Sequence, residues 1–246
     1  MTEEEKFMFD LEGYLIIKDV LNSEELADLN ALVDQHLKGW DNDSSNDLNK
    51  VSTWGEAAKK LIDHPKIVPY LIELIGPRFR IDHDYAIIMD EGNARGGLHG
   101  GPGHGSDHWF SYRDGQMRNG LSVMTFFLAD ANEGDGGFAC VPGSHKTNFP
   151  GGLPRDVRAF ERKAHYVAQP AAKAGDALFF TEALVHGTMP WRAKHQRRTL
   201  LYKYSPGHST WAKEFYNLDE YGELSEQQKR VMATPSMHAH PAVVED

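Results

Sequence analysis

Arg78-Phe79-Arg80-Ile81-Asp82-His83-Asp84-Tyr85-Ala86-Ile87-Ile88-Met89 alternates in character, which predicts Phe79, Ile81, His83, Tyr85 and Ile87 on one face and Arg80, Asp82 and Asp84 on the other. A period of two marks an extended strand, because successive side chains of a pleated backbone point to opposite sides. Toward the C-terminus the same signal returns in short runs at 121–128, 137–141, 165–168, 176–180 and 197–204, separated by Gly, Pro and Asn clusters. Short strands broken by turns at this density predict a mainly β protein, a jelly roll.

Toward the N-terminus the pattern changes. Residues 13–17 read as a short strand, and Asn22 with Glu25 three residues on has the spacing of a capping box. Leu26, Leu29, Val33 and Leu37 then form one apolar stripe, predicting a helix over 23–38 that packs on a sheet. Residues 39–50 are rich in Asp, Asn and Ser and predict an exposed loop with room to order over a ligand. Residues 56–62 and 66–75 read as helices interrupted at His64-Pro65, and Gly76-Pro77 ends the second. The expectation is a single domain over 1–246, with helices at about 22–75 flanking a β core at about 78–206. The tail, 207–246, carries one further helix near 225–232.

The bulk properties narrow the partners. Lys and Arg number 26 against 36 Asp and Glu, a net charge of −10, so a nucleic-acid partner is not expected. No run approaches the ~20 apolar residues of a membrane span. Met1-Thr2-Glu3-Glu4-Glu5 is acidic where a secretory signal would be basic, and Cys140 stands alone, so the expectation is a soluble, cytoplasmic protein, with room for a local basic pocket that takes an anionic small molecule. Nothing in the sequence sets the oligomeric state.

The chemistry concentrates around His186, followed eleven residues later by Arg197. A neutral imidazole can hold a first-row metal, and a guanidinium can grip a carboxylate through two parallel hydrogen bonds. His99 is the candidate upstream ligand. The loop 100–109 also holds His104, Asp107 and His108, but His104 and Asp107 lie three apart, whereas strand residues sharing a face lie two apart. Arg197 and Arg198 must face opposite sides for the same reason. Trp109, Phe110, Tyr112 and Arg113 form an aromatic and basic cluster that, with His104, offers candidate substrate contacts or a plain hydrophobic rim.

Gly134-Asp135-Gly136-Gly137-Phe138-Ala139-Cys140-Val141-Pro142-Gly143-Ser144-His145-Lys146 resembles the signature strand and turn of the phytanoyl-CoA dioxygenase family. The resemblance extends over about 9–206, through the opening strand and helix at 13–37, the strand Ala174-Gly175-Asp176-Ala177-Leu178-Phe179-Phe180, and His186-Gly187-Thr188 with Arg197. It implies a cupin-like double-stranded β-helix that binds non-haem Fe(II) and uses 2-oxoglutarate and O₂. It implies His99 and His186 as metal ligands, Arg197 and Thr188 on the distal carboxylate of 2-oxoglutarate, and His83, Tyr85 and Thr125 along the pocket.

The family's first ligand pair is His-x-Asp, but here Gly101 replaces the carboxylate. That His-x-Gly arrangement is similar to the iron- and 2-oxoglutarate-dependent halogenases, in which chloride takes the vacated position and is delivered to a carbon radical. Three other readings stay open: water fills the position and hydroxylation continues, Asp107 reaches in, or no iron binds and the jelly roll merely binds a metabolite or partner.

Overall fold

The computed structural model describes residues 1–38 and 48–244. Helix α1 (Glu3–Glu12), strand β1 (Tyr14–Ile17) and helix α2 (Ser23–His36) come first. The sequence reading took the acidic start only as charge; in fact Thr2 and Glu5 form a capping box, and the three glutamates of the first turn face the positive end of the helix dipole. Helix α2 is capped by Asn22 and Glu25 as its sequence predicts and ends at His36, two residues short of the expected limit. Residues 39–47 of the anticipated loop lie outside the described residues. Its last three do not behave as a loop, since Leu48 is buried and Asn49 bridges to Tyr85.

Helices α3 (Glu56–Lys59) and α4 (Val68–Leu74) follow, and then β2 (Phe79–Met89), β3 (Phe110–Arg113), β4 (Gln116–Asn119), β5 (Ser122–Phe127) and β6 (Gly137–Cys140). The chain continues through α5 (Arg155–Arg158), β7 (Ala177–Thr181), β8 (His186–Met189), β9 (Arg197–Pro206) and α6 (Glu226–Val231). The hairpin β3–β4 was not anticipated. Its two-residue turn is Asp114-Gly115, with φ of 54° and 77°, the left-handed geometry that lets the strands keep their twist. The strand expected over 165–168 reduces to a single bridge between Ala168 and Cys140.

A five-stranded antiparallel sheet in the order β1-β7-β5-β9-β2 faces the small sheet β6-β8. Bridges from His99 to His186 and from Ala168 to Cys140 extend the small sheet on both sides. This is the mainly β jelly-roll architecture with N-terminal helices. One core packs Leu29 of α2, Leu71 of α4, and Leu61 and Ile67 from the segment between α3 and α4, against Phe126, Phe179 and Tyr202 of the large sheet. A second fills the space between sheets with Ile87, Met89, Val123, Leu178, Phe180, Phe138 and Leu201.

The predicted facing of β2 needs one correction. Ile81 pairs with Tyr204 but His83 pairs with Lys203, a register shift at Asp82. A bulge inserts one unpaired residue and so exchanges the faces of everything beyond it. Phe79 and Ile81 therefore join the helix-side core, while Ile87 and Met89, with Tyr85 packed against them, turn into the space between the sheets.

Candidate metal and 2-oxoglutarate site

His99 and His186 are cross-strand neighbours, with reciprocal backbone hydrogen bonds of 2.7 and 2.9 Å and ring centroids 4.5 Å apart. Gly100 permits this approach. Its φ is +76°, and a Cβ there would lie 2.8 Å from the Leu184 carbonyl and 3.1 Å from His186 Nδ1. In each histidine Nδ1 donates to the carbonyl two residues upstream, 2.9 Å to Gly97 and 2.8 Å to Leu184. A carbonyl can only accept, so each Nε2 keeps its lone pair. Burial pushes His186 down to about 4, which keeps it neutral and fit to ligate near pH 7.

Phe138 and Phe180 pack on the His186 ring, and strand β8 then leads from His186 past half-buried Thr188, paired with Phe138. The neighbouring Gly137 abuts the Arg197 guanidinium, since a Cβ on it would be 3.3 Å from Arg197 Nε. Arg197 is 3% exposed, its Nη1 reaches only Met89 Sδ at 3.3 Å, and its Nε has no partner. Burial, with the charge of Arg95, pushes it down to about 10. A buried guanidinium with a free donor fits an anionic ligand, because an unsatisfied buried donor is costly. Arg198 faces the other way and pairs with Asp34 of α2 at 2.7 Å.

A second cluster closes the other side of His186. Glu182 is buried, its Oε1 2.7 Å from Lys203 Nζ and its Oε2 3.4 Å from His108 Nε2 and 3.7 Å from His186 Nε2. His108 Nδ1 meets Asp107 Oδ1 at 3.0 Å. Burial disfavours charge on both Glu182 and His108, but the neighbours prevail. Lys203 holds Glu182 well below the usual carboxylate range, and Asp107 with Glu182 pushes His108 up to about 9. Two cations and two anions thus balance. Neither Glu182 nor Lys203 stood among the candidates from sequence, although Lys203 shares the inward face of β9 with Arg197 by simple alternation.

The remaining candidates divide. Tyr85 stacks on His83 at 6.1 Å and lies under Lys203 Nζ at 5.6 Å, next to the cluster. Thr125 is on the inner face opposite Leu201 and Leu178, its buried hydroxyl without a partner. Asp107 turns to His108 and not to the histidine pair, and His104 is exposed at 5.6 Å from the His108 ring. Half-buried Trp109 follows His108 directly. Phe110 and Arg113 are not brought to the site: Phe110 packs on His145 and Phe9, and Arg113 is exposed at the hairpin turn beside Asp114. Gly101 has φ +102°, and a Cβ there would meet Val185 Cγ2 at 3.1 Å and Pro150 at 3.3 Å, not the imidazoles. Among the described residues no three His, Cys, Asp or Glu side chains are already arranged around a metal position. Two free Nε2 atoms and the unpaired Arg197 donor nevertheless suit a divalent ion with a carboxylate co-ligand.

A cleft of about 530 Å³ lies alongside, lined in part by Lys50, His83, Trp211 and Phe215. Trp211 packs 5.3 Å from the His108 ring, so the cleft and the cluster share a wall. Among the described residues no helix is long and apolar enough to cross a membrane.

The family model described as Phytanoyl-CoA dioxygenase (PhyH) matches residues 9–199. No curated protein matches the chain by sequence. Among solved structures, HygX from Streptomyces hygroscopicus with nickel and 2-oxoglutarate bound has a TM-score of 0.78 at 21% identity, over 91% of this chain and 95% of HygX. AviO1 from Streptomyces viridochromogenes Tue57 gives 0.64 at 17% identity, over 85% and 96%. SnoK, a non-heme alpha ketoglutarate dependent carbocyclase from nogalamycin biosynthesis, gives 0.61 at 16% identity, over 86% of each chain. At such identities the likeness is one of fold.

Proposed function

Because the chain belongs to the phytanoyl-CoA dioxygenase family, we propose that it is an Fe(II)- and 2-oxoglutarate-dependent enzyme that oxidises a C–H bond of a small molecule. The observation that carries this reading is the histidine pair, whose Nδ1 atoms are committed to Gly97 and Leu184 so that both Nε2 lone pairs are free. His99 and His186 would hold the iron. Arg197, with Thr188, would take the distal carboxylate of 2-oxoglutarate, and Thr125 offers a further unpaired hydroxyl on the same face. Bound iron, 2-oxoglutarate and O₂ supply the oxidising power, with succinate and CO₂ as co-products. The protein sets orientation and keeps out water: Phe138, Phe180 and Leu184 give the site a dry wall.

The 530 Å³ cleft is of a size to hold one small molecule, with His83 and Tyr85 between it and the cluster. A HygX structure holds hygromycin B together with nickel and 2-oxoglutarate, which favours a polar, natural-product-like substrate here as well.

Between the two outcomes of the chemistry, the geometry favours hydroxylation. A Cβ at Gly101 would meet Val185 and Pro150, while a buried carboxylate, that of Glu182, already lies 3.7 Å from His186 Nε2. Chlorination is the second reading, favoured by the His99-Gly100-Gly101 sequence itself. Anaerobic addition of Fe(II) and 2-oxoglutarate is expected to produce the weak visible charge-transfer band of a chelated keto acid. No band would sink the oxygenase reading and leave a metabolite-binding jelly roll. With substrate, O₂ and chloride, the product is expected to gain one oxygen and no chlorine; a chlorinated product would reverse the order of the two readings.

A further inference from the structure

We propose that Glu182 supplies the metal-binding carboxylate that position 101 lacks, so that His99, Glu182 and His186 hold the ion together. This rests on the iron and 2-oxoglutarate reading above.

Three observations carry it. Glu182 Oε2 lies 3.7 Å from His186 Nε2, and His186 Nε2 is an acceptor because its Nδ1 donates to Leu184. A buried carboxylate oxygen and an imidazole lone pair on adjacent atoms are both acceptors, the arrangement a shared metal ion uses. Two ligands at right angles on a first-row ion, with bonds of about 2.1 Å, stand roughly 3 Å apart, so Glu182 and His186 must draw closer for an ion to bridge them. Next, Lys203 Nζ holds the far oxygen, Oε1, at 2.7 Å, which leaves Oε2 turned toward His186 and His108. A ligating carboxylate commonly has its other oxygen fixed in this way. Finally, the backbone ties Glu182 to the first ligand: Gly101 N donates to the Glu182 carbonyl at 3.3 Å, and Gly100 fits closely against that same carbonyl. At position 101 a Cβ would meet Val185 Cγ2 at 3.1 Å and Pro150 at 3.3 Å, a crowded place for a longer side chain.

His108 makes the exchange possible. His108 Nε2 lies 3.4 Å from Oε2 while Asp107 holds Nδ1 at 3.0 Å, so His108 stays anchored when Oε2 turns to the ion.

The test is metal binding by the full chain. Co(II) titrations of metal-free wild type, Glu182→Gln and Gly101→Asp should show one tight site in wild type and a loss of about 10–100-fold in Glu182→Gln. The Gly101→Asp variant should not bind more tightly than wild type. Crystals of the wild type with Mn(II) and 2-oxoglutarate, which depend on no variant, should place Glu182 Oε2 on the ion. Glu182→Gln binding as well as wild type, or crystals with water or chloride on that side and Glu182 still held only by Lys203, overturns the proposal while leaving the oxygenase reading intact. A wild type that binds no Co(II) overturns both.

Discussion

His108, His145 and His186 are all buried, with the same imidazole and opposite proton affinities. Burial pushes His186 and His145 down to about 4, whereas the Asp107 and Glu182 carboxylates override burial and push His108 up to about 9. The difference follows from partners, since His145 Nε2 meets only the Asp10 carbonyl at 3.1 Å and Lys146 adds a like charge. A base whose pKa is lower folded than unfolded is protonated more readily by the unfolded chain. The stability contributed by neutral His145 is therefore complete above its ordinary value of 6.5 and is lost as the pH falls from there to about 4, on the order of 3 kcal/mol in all. We expect His145→Gln to flatten the dependence of unfolding free energy on pH across that window in denaturant titrations. An unchanged slope would assign the acid sensitivity to other groups.

Among the elements, β2 decides where the site can be. Its alternation was legible as a strand, but the bulge at Asp82 was not, because an inserted residue leaves no mark on a pattern of polar and apolar positions. Only the partner strand reveals it, and a partner 120 residues away is a tertiary fact. Tyr85 packs on the core between the sheets, whereas Phe79 and Ile81, grouped with it in the sequence pattern, join the helix-side core. The adjacency of His99 and His186 was legible from motif order, whereas Glu182 was hidden because it reaches His186 across a turn, where neither strand nor helix periodicity applies. The bulge also anchors the tail. Asp82 accepts from the Trp211 and Ala212 amides at 2.9 and 3.0 Å and pairs with Arg80 and His83. Asp82→Ala leaves a buried guanidinium unpaired and is expected to destabilise the protein by about 3–5 kcal/mol. Hydrogen exchange should rise at Trp211 and Ala212 before it rises in β9. Amides that stay protected in the variant would mean that packing, not Asp82, holds the tail wall of the cleft.

For the whole molecule, the two ends of one strand face separate duties. Arg197 and Lys203 lie six residues apart on the inward face of β9, one with an unpaired donor and the other committed to Glu182. Metal and 2-oxoglutarate should therefore stabilise the folded chain by separable amounts, since each binds groups that exist only in the folded state. A ligand at a hundred times its dissociation constant adds about 2.7 kcal/mol. For a chain of this length that corresponds to roughly 5–10 °C in melting temperature. With Mn(II) as a metal that does not turn over, wild type should gain one increment with metal and a second with 2-oxoglutarate. Arg197→Met should keep the first and lose the second, because a thioether fills the space without donating to a carboxylate. The pattern is informative in both directions: a surviving second increment would move the co-substrate carboxylate away from Arg197, and loss of the first would mean that Arg197 supports the histidine pair itself.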